Sequence, residues 1–186
     1  METIHQAENF SFSGGKCFFS YVLSNHIYQL DDQGDIIKVF YLDFGKKNED
    51  RIASYRKLLA EEDIPVQRFN DHYPDIYTTL RVLTNGKSLW YAFNNYTTMG
   101  TGFGIYNMES GKNLYGHDVG ADPIRNDIDA TPLLPRAFRG NCLYTLILPE
   151  LAEFGQDRYE GLKELHLSEE DNPIVAVAFL KEEFAN

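Results

Sequence analysis

The sequence predicts an all-β fold built from β-propeller blades, which are four-stranded antiparallel meanders. Two observations carry this prediction: short runs of alternating apolar and polar residues separated by glycine- and asparagine-containing turns, and three occurrences of that pattern along the 186 residues. Repeated meanders favour a propeller. Periodicity alone leaves a sandwich or barrel of about eleven strands open. The chain is expected to form one domain, residues 1–186.

The first predicted blade covers residues 7–45. Tight turns at Gly14 and Gly15, at Ser24 and Asn25, and around Gly34 divide it into four runs. The predicted strands are residues 9–13, 17–23, 26–30 and 36–44.

A helix is predicted next, over residues 48–62. Apolar side chains recur there at helical spacing, Asn48 is a candidate N-terminal cap, and Pro65 follows the helix. The helix interrupts the succession of sheets and is the first of two predicted helical insertions.

The second predicted blade covers residues 77–118 and contains the strongest hairpin signal, Asn85 followed by Gly86. Its strands are predicted at residues 77–84, 88–93, 101–108 and 112–117.

The third predicted blade, residues 132–181, is incomplete. It has three strand-like runs and not four, with the second helical insertion between the last two. The strands are predicted at residues 133–138, 143–148 and 174–180, and the helix at residues 150–166.

Composition excludes some partners. The formal net charge of −11 argues against a nucleic-acid interface and against docking on anionic lipid. No apolar run reaches the roughly 20 residues that a membrane helix needs. The N-terminal residues 1–6 show no secretory signal, which fits a cytoplasmic chain or a piece of a longer, exported one.

The two cysteines, Cys17 and Cys142, have no neighbour at metal-ligand spacing. Their apolar flanks predict two core thiols, and a disulfide between them is the alternative. No cofactor is predicted.

An acidic loop supplies the first candidate site. Asn126, Asp127 and Asp129 carry oxygen ligands, and the alternate spacing of Asp127 and Asp129 could hold Ca²⁺. The spacing differs from an EF-hand, and such residues also brace turns through their own hydrogen bonds. Ligand binding and turn bracing both stay open here.

Aromatic side chains beside a polar loop supply the second candidate site. Trp90, Asn94, Asn95 and Tyr96 combine ring faces with amide groups, which is how proteins often hold sugars. The alternative is that these aromatic side chains, together with Phe93, Phe103 and Tyr106, simply pack between blades.

Several segments resemble a bacterial family of six-bladed β-propellers, common among exported proteins of Gram-negative gut bacteria and mostly of unknown function. The resemblance is carried, in order, by residues 25–30, 41–45, 126–130, 169–175 and 179–181. Residues 126–129 are similar to the family's "NDIDG" loop, with Ala130 where the family often has glycine. These motifs belong to the family's C-terminal half.

The resemblance implies a periplasmic or exported half-propeller with two apolar faces in need of a partner. We therefore expect a homodimer that completes the ring, acting as a non-catalytic module that binds a glycan or peptide. One alternative is a polysaccharide hydrolase or lyase that uses Asp127 and Asp129. Another is a truncated chain with no independent function.

Overall fold

The computed structural model describes residues 10–21, 24–61, 76–95, 100–117, 135–147, 168 and 170–181, and it confirms the all-β prediction. Eleven strands and one helix lie within this part of the chain. No helix among these residues is long and apolar enough to cross a membrane.

The first sheet is an antiparallel meander in the order β1-β2-β3-β4. Its strands are β1 (Phe10–Ser13), β2 (Lys16–Ser20), β3 (His26–Leu30) and β4 (Ile36–Tyr41). The β1–β2 turn is closed by Ser13 and Lys16, and both of its glycines have positive φ. A side chain at either glycine would be strained, which explains the Gly14–Gly15 pair.

The helix α1 (Lys46–Glu61) begins two residues earlier than predicted. Asn48 is not the N-terminal cap, because it lies inside the helix and its backbone N–H donates to the carbonyl of Gly45. Its side chain is 4% exposed and points to β5 instead. The second predicted helix, residues 150–166, lies outside the described residues.

The central sheet is a second four-stranded meander, in the order β5-β6-β7-β8. Its strands are β5 (Tyr77–Thr84), β6 (Ser88–Asn95), β7 (Gly100–Asn107) and β8 (Asn113–His117). The rings of Phe93 and Tyr91 lie over Gly102 and Gly104 of β7. Each ring occupies the space that a Cβ atom on the glycine beneath it would fill. The glycines therefore make room for two aromatic rings that cover the strand.

The third sheet has three antiparallel strands in the order β9-β10-β11. They are β9 (Ala137–Arg139), β10 (Cys142–Ile147) and β11 (Ile174–Phe179). This agrees with the prediction of three strands and not four in this part of the chain. No strand among the described residues pairs with the outer edge of β11.

The sheets follow one another, and the strand that comes first in each sheet contacts its counterpart: β1 contacts β5, and β5 contacts β9. One apolar cluster joins the first and central sheets through Phe18, Ile27 and Leu89. A second cluster joins the central and third sheets through Trp90, Phe103 and Leu143. The central sheet therefore packs against a neighbouring sheet on each of its two faces.

Three hairpin turns also lie side by side, and we call this the turn row: 14–15, 85–86 and 140–141. The ammonium group of Lys16 donates to the carbonyl of Gly86 at 2.8 Å, and the amide of Asn85 donates to the carbonyl of Gly140 at 2.5 Å. The turn row links the three sheets at one end, which we call the turn end.

The outer faces of the first and third sheets are open. On the first sheet, Phe12 is 73% exposed, and on the third, Phe179 is 72% exposed. Phe10, Tyr21, Val39, Leu146, Val175 and Val177 are also exposed. Apolar faces of this kind on both flanks are unusual for a chain that works alone.

The prediction of two core thiols is wrong. Cys17 and Cys142 are both free and only partly buried. Cys17 pairs with Phe12 across the open face of the first sheet, and Cys142 pairs with Phe179 across that of the third. The error arises because the sequence of a strand with two apolar faces is the same whether or not another sheet packs against both of them. Partial burial raises the pKa of the Cys17 thiol.

Candidate functional site

The candidate site lies at the end of the sheets opposite the turn row, which we call the loop end. In a meander, the second and third strands are joined at this end, and each sheet is entered from it. β6 therefore ends at the loop end with Asn95, and β9 begins there after Pro135.

Buried polar residues fix the entry of β5 at the loop end. The Asn48 side chain of α1 donates to the Tyr77 carbonyl at 3.1 Å and accepts from the Tyr77 N–H at 2.7 Å. The amide thus replaces a neighbouring strand as partner of the Tyr77 backbone. The carbonyl of Ser24 accepts from both the N–H and the hydroxyl of Thr79. These bonds tie the start of β5 to α1 and to Ser24, and we call this side of the loop end the rim.

An aromatic cluster packs behind that rim. The half-buried Phe44 and Tyr77 rings stack with their centroids 5.4 Å apart, and the buried Phe93 lies 5.1 Å from Phe44. Sequence analysis missed Phe44 and Tyr77, since they are distant in sequence from the loop that follows β6. Only the fold brings them together with Phe93.

A polar set occupies the loop end of the interface between the central and third sheets: Thr78, Arg81, Asn94 and Thr145. Thr78 pairs with Asn94 across β5 and β6, and Arg81 donates to the Pro135 carbonyl at 3.2 Å. Thr145 comes from β10, on the face that carries the buried Leu143. The interface therefore changes from apolar near the turn row to polar at the loop end.

Two oxygen atoms of the polar set have no hydrogen-bond partner although they are buried: Asn94 Oδ1 and Thr145 Oγ1. A buried polar atom left without a partner costs about 1–3 kcal/mol. Such atoms need an explanation, and binding a ligand is one that accounts for their position at the end of an interface. Asn94 Oδ1 can accept a hydrogen bond, and Thr145 Oγ1 can accept or donate one.

The predicted site residues are distributed unevenly. Trp90 is 1% exposed within the core, so in this structure it packs between the sheets, as the alternative interpretation of the aromatic cluster has it. Asn94 faces the third sheet, whereas Asn95 is 3% exposed and faces the first sheet. The remaining predicted site residues, Tyr96, Asn126, Asp127 and Asp129, lie outside the described residues.

Within the described ranges, no group of three His, Cys, Asp or Glu side chains comes together that could hold a metal ion. The calcium prediction for Asp127 and Asp129 stays a prediction. The sequence analysis did not identify Thr78, Arg81 and Thr145, because polar residues at alternate positions are common in β-strands. The unmet hydrogen bond of Thr145 becomes visible only in the fold.

No protein-family model and no curated protein matches this chain. Among solved structures, it is similar to the crystal structure of a putative exported protein from Bacteroides fragilis, with a TM-score of 0.55 and 13% sequence identity. The match covers 92% of this chain and 49% of the other, so this chain spans about half of that protein's length. The likeness at this identity concerns the fold alone.

Proposed function

We propose that this chain is a β-propeller module that binds a glycan or a peptide at the loop end and has no catalytic role. The observation that carries the proposal is the pair of unpartnered oxygen atoms, Asn94 Oδ1 and Thr145 Oγ1, in one interface. Glycans and peptides both present the O–H or N–H donors that an amide oxygen requires. The Arg81 guanidinium lies in the same interface and donates to the Pro135 carbonyl.

We also propose that the three sheets are consecutive blades of a six-bladed ring that a second copy completes. The support is the repeated placement of the first strand of each sheet against the next, together with two open apolar faces. A closed ring has a solution mass of about 43 kDa, twice the 21.4 kDa of one chain. An exported or periplasmic location goes with the propeller resemblance and with the description of the similar structure.

The hydrolase or lyase alternative depends on Asp127 and Asp129. Both residues lie outside the described part of the chain, so no geometry favours it.

The binding proposal is tested with Asn94→Ala. Removing a buried oxygen that has no partner should leave the free energy of unfolding unchanged or raise it, whereas ligand binding should weaken at least tenfold. Binding is measured on a panel of neutral oligosaccharides and of short peptides by calorimetry. Asn141→Ala, an exposed asparagine of the turn row, is the control and should bind as the parent does.

Loss of stability in Asn94→Ala would show that the amide has a structural partner, and equal binding by both variants would remove the site from the loop end. Binding of oligosaccharides alone, or of peptides alone, assigns the ligand class. Binding by neither class overturns the proposal.

A further inference from the structure

The second strands of the three sheets correspond position by position, because each one leaves the turn row. Ser13 and Lys16 close the first turn across Gly14 and Gly15, and Arg139 and Cys142 close the third turn across its two residues. Counting along β2, β6 and β10 from their first residues, which are Lys16, Ser88 and Cys142, aligns two sets. The first set is Phe18, Trp90 and Tyr144. The second set is Cys17, Leu89 and Leu143.

The first set points toward the following sheet, and the second set points toward the preceding one. Phe18 shares an apolar cluster with Leu89, and Trp90 shares one with Leu143. Each existing interface thus joins an aromatic ring of one sheet to the leucine of the next. All four side chains are at most 2% exposed.

Tyr144 of the first set and Cys17 of the second set take no part in these two interfaces. Tyr144 lies on the open face of the third sheet, where it pairs with the exposed Val177. Cys17 lies on the open face of the first sheet, beside the exposed Phe12. These two faces are the two halves of an interface that already occurs twice within the chain.

We infer that a second copy of this chain covers both open faces, with Tyr144 of each copy packed against Cys17 of the other. The inference rests on the six-bladed ring proposed above and specifies how that ring closes. The first sheet of each copy meets the third sheet of the other, never its own equivalent. Two identical interfaces then follow from one two-fold axis.

The size of the faces fits a stable dimer. With strands about 4.8 Å apart and about 3.4 Å per residue, each open face has a flat area of roughly 300 Å². The four faces of two copies give about 1,200 Å², which reaches the range of specific protein interfaces. The faces are also nearly uncharged: Arg139 is the one charged side chain among the paired positions of the third sheet's open face.

The inference predicts a specific cross-link, because Cys17 and Cys142 both lie in the first two residues after a turn of the turn row. They belong to opposite open faces of one chain, and closure brings Cys17 of one copy near Cys142 of the other at the same height. A short bismaleimide should therefore join the two different thiols.

The test uses two variants, Cys17→Ser and Cys142→Ser, at matched concentration. Neither variant alone should form a cross-linked dimer, whereas their mixture should, and the parent should give a dimer without larger species. A cross-link within either single variant would mean that like faces meet and would overturn the inference. A ladder of larger species would overturn closure by two copies, and no cross-link in the mixture would overturn the contact.

Two matched substitutions make the test independent of thiol chemistry. Val177 on the open face and Leu114 of β8 are both 43% exposed, so an aspartate at either site disturbs the folded monomer little. Val177→Asp should halve the solution mass measured by light scattering, and Leu114→Asp should leave it unchanged. Retention of the dimer by Val177→Asp would overturn the inference.

This inference and the binding proposal fail separately. A cross-linked dimer that binds no oligosaccharide or peptide supports the interface and overturns the binding function. Ligand binding by a chain that never dimerises supports the loop-end site and overturns the interface.

Discussion

Replacing Gly102 with alanine should destabilise the fold, although the same change in an ordinary strand would stabilise it. Glycine inside a strand is about 0.5–1 kcal/mol less favourable than alanine. At Gly102, however, the new Cβ would lie 2.2 Å from two atoms of the Phe93 ring, where real Cβ contacts essentially never fall below 3.0 Å. The ring must retreat, and the sign of the effect depends on whether it can.

The packing around Phe93 leaves no space for that retreat. The ring is 3% exposed and lies against Phe44, Tyr77 and Tyr91, with centroid distances of 5.1, 6.2 and 6.4 Å. Overpacking of this kind costs about 1–3 kcal/mol, which exceeds the gain in strand propensity. Gly102→Ala should therefore lower the free energy of unfolding by an amount in that range.

The assay is urea unfolding followed by circular dichroism at one fixed protein concentration, because association changes apparent stability. Phe93→Leu supplies the second arm of a double-mutant cycle, since a smaller side chain should remove most of the cost of Gly102→Ala. A Gly102→Ala variant as stable as the parent, or more stable, would refute the packing described for this face of the central sheet.

Two further predictions concern the loop end and the start of α1. Asn48→Ala should lower the free energy of unfolding by about 1–3 kcal/mol, because the part-buried backbone of Tyr77 loses both of its hydrogen bonds to Asn48. Asn48→Asp, which keeps the acceptor, should recover part of this in the same urea assay, and equal stability of all three proteins would contradict it. The hydroxyl of Tyr41 donates to the Glu49 carboxylate, which raises the pKa of Tyr41 to about 12. Because the neutral form is favoured in the fold, the resulting stability is present below pH 10 and is lost as pH rises toward about 12. Glu49→Gln should lower this pKa in an NMR titration of the Tyr41 ring, and an unchanged pKa would count against the bond.

Local rules explain how much of the fold the sequence predicts. Turn glycines and alternation located the strands of the first and central sheets, because those signals act between neighbours in the chain. The start of α1 was misplaced, since Asn48 has a partner twenty-nine residues away that no local rule reveals. The cysteines were misassigned for the same reason: whether an apolar face finds a partner is decided beyond the strand.

The site was predicted less well than the fold. Asn94 belongs both to the predicted site residues and to the polar set of the structure, because a polar residue at the end of a strand can be recognised in the sequence. Trp90 was predicted as a site residue because its ring could stack on a ligand. In the structure, nearly its whole surface is buried between two sheets. Thr145 was missed, because a hydroxyl attracts attention only when the fold buries it without a partner.

The side-by-side order of the sheets has a consequence for how the chain gains and loses structure. Among the described residues, the first sheet contacts the central one and the central one contacts the third, so the energetics resemble those of a short linear array. The central sheet has two neighbours and each flanking sheet has one. Opening can therefore begin at either flank, while the central sheet forms the cooperative unit that is last to unravel. If the two flanking sheets were joined, the array would become a closed ring with no terminal sheet. Every sheet would then be equally protected against opening.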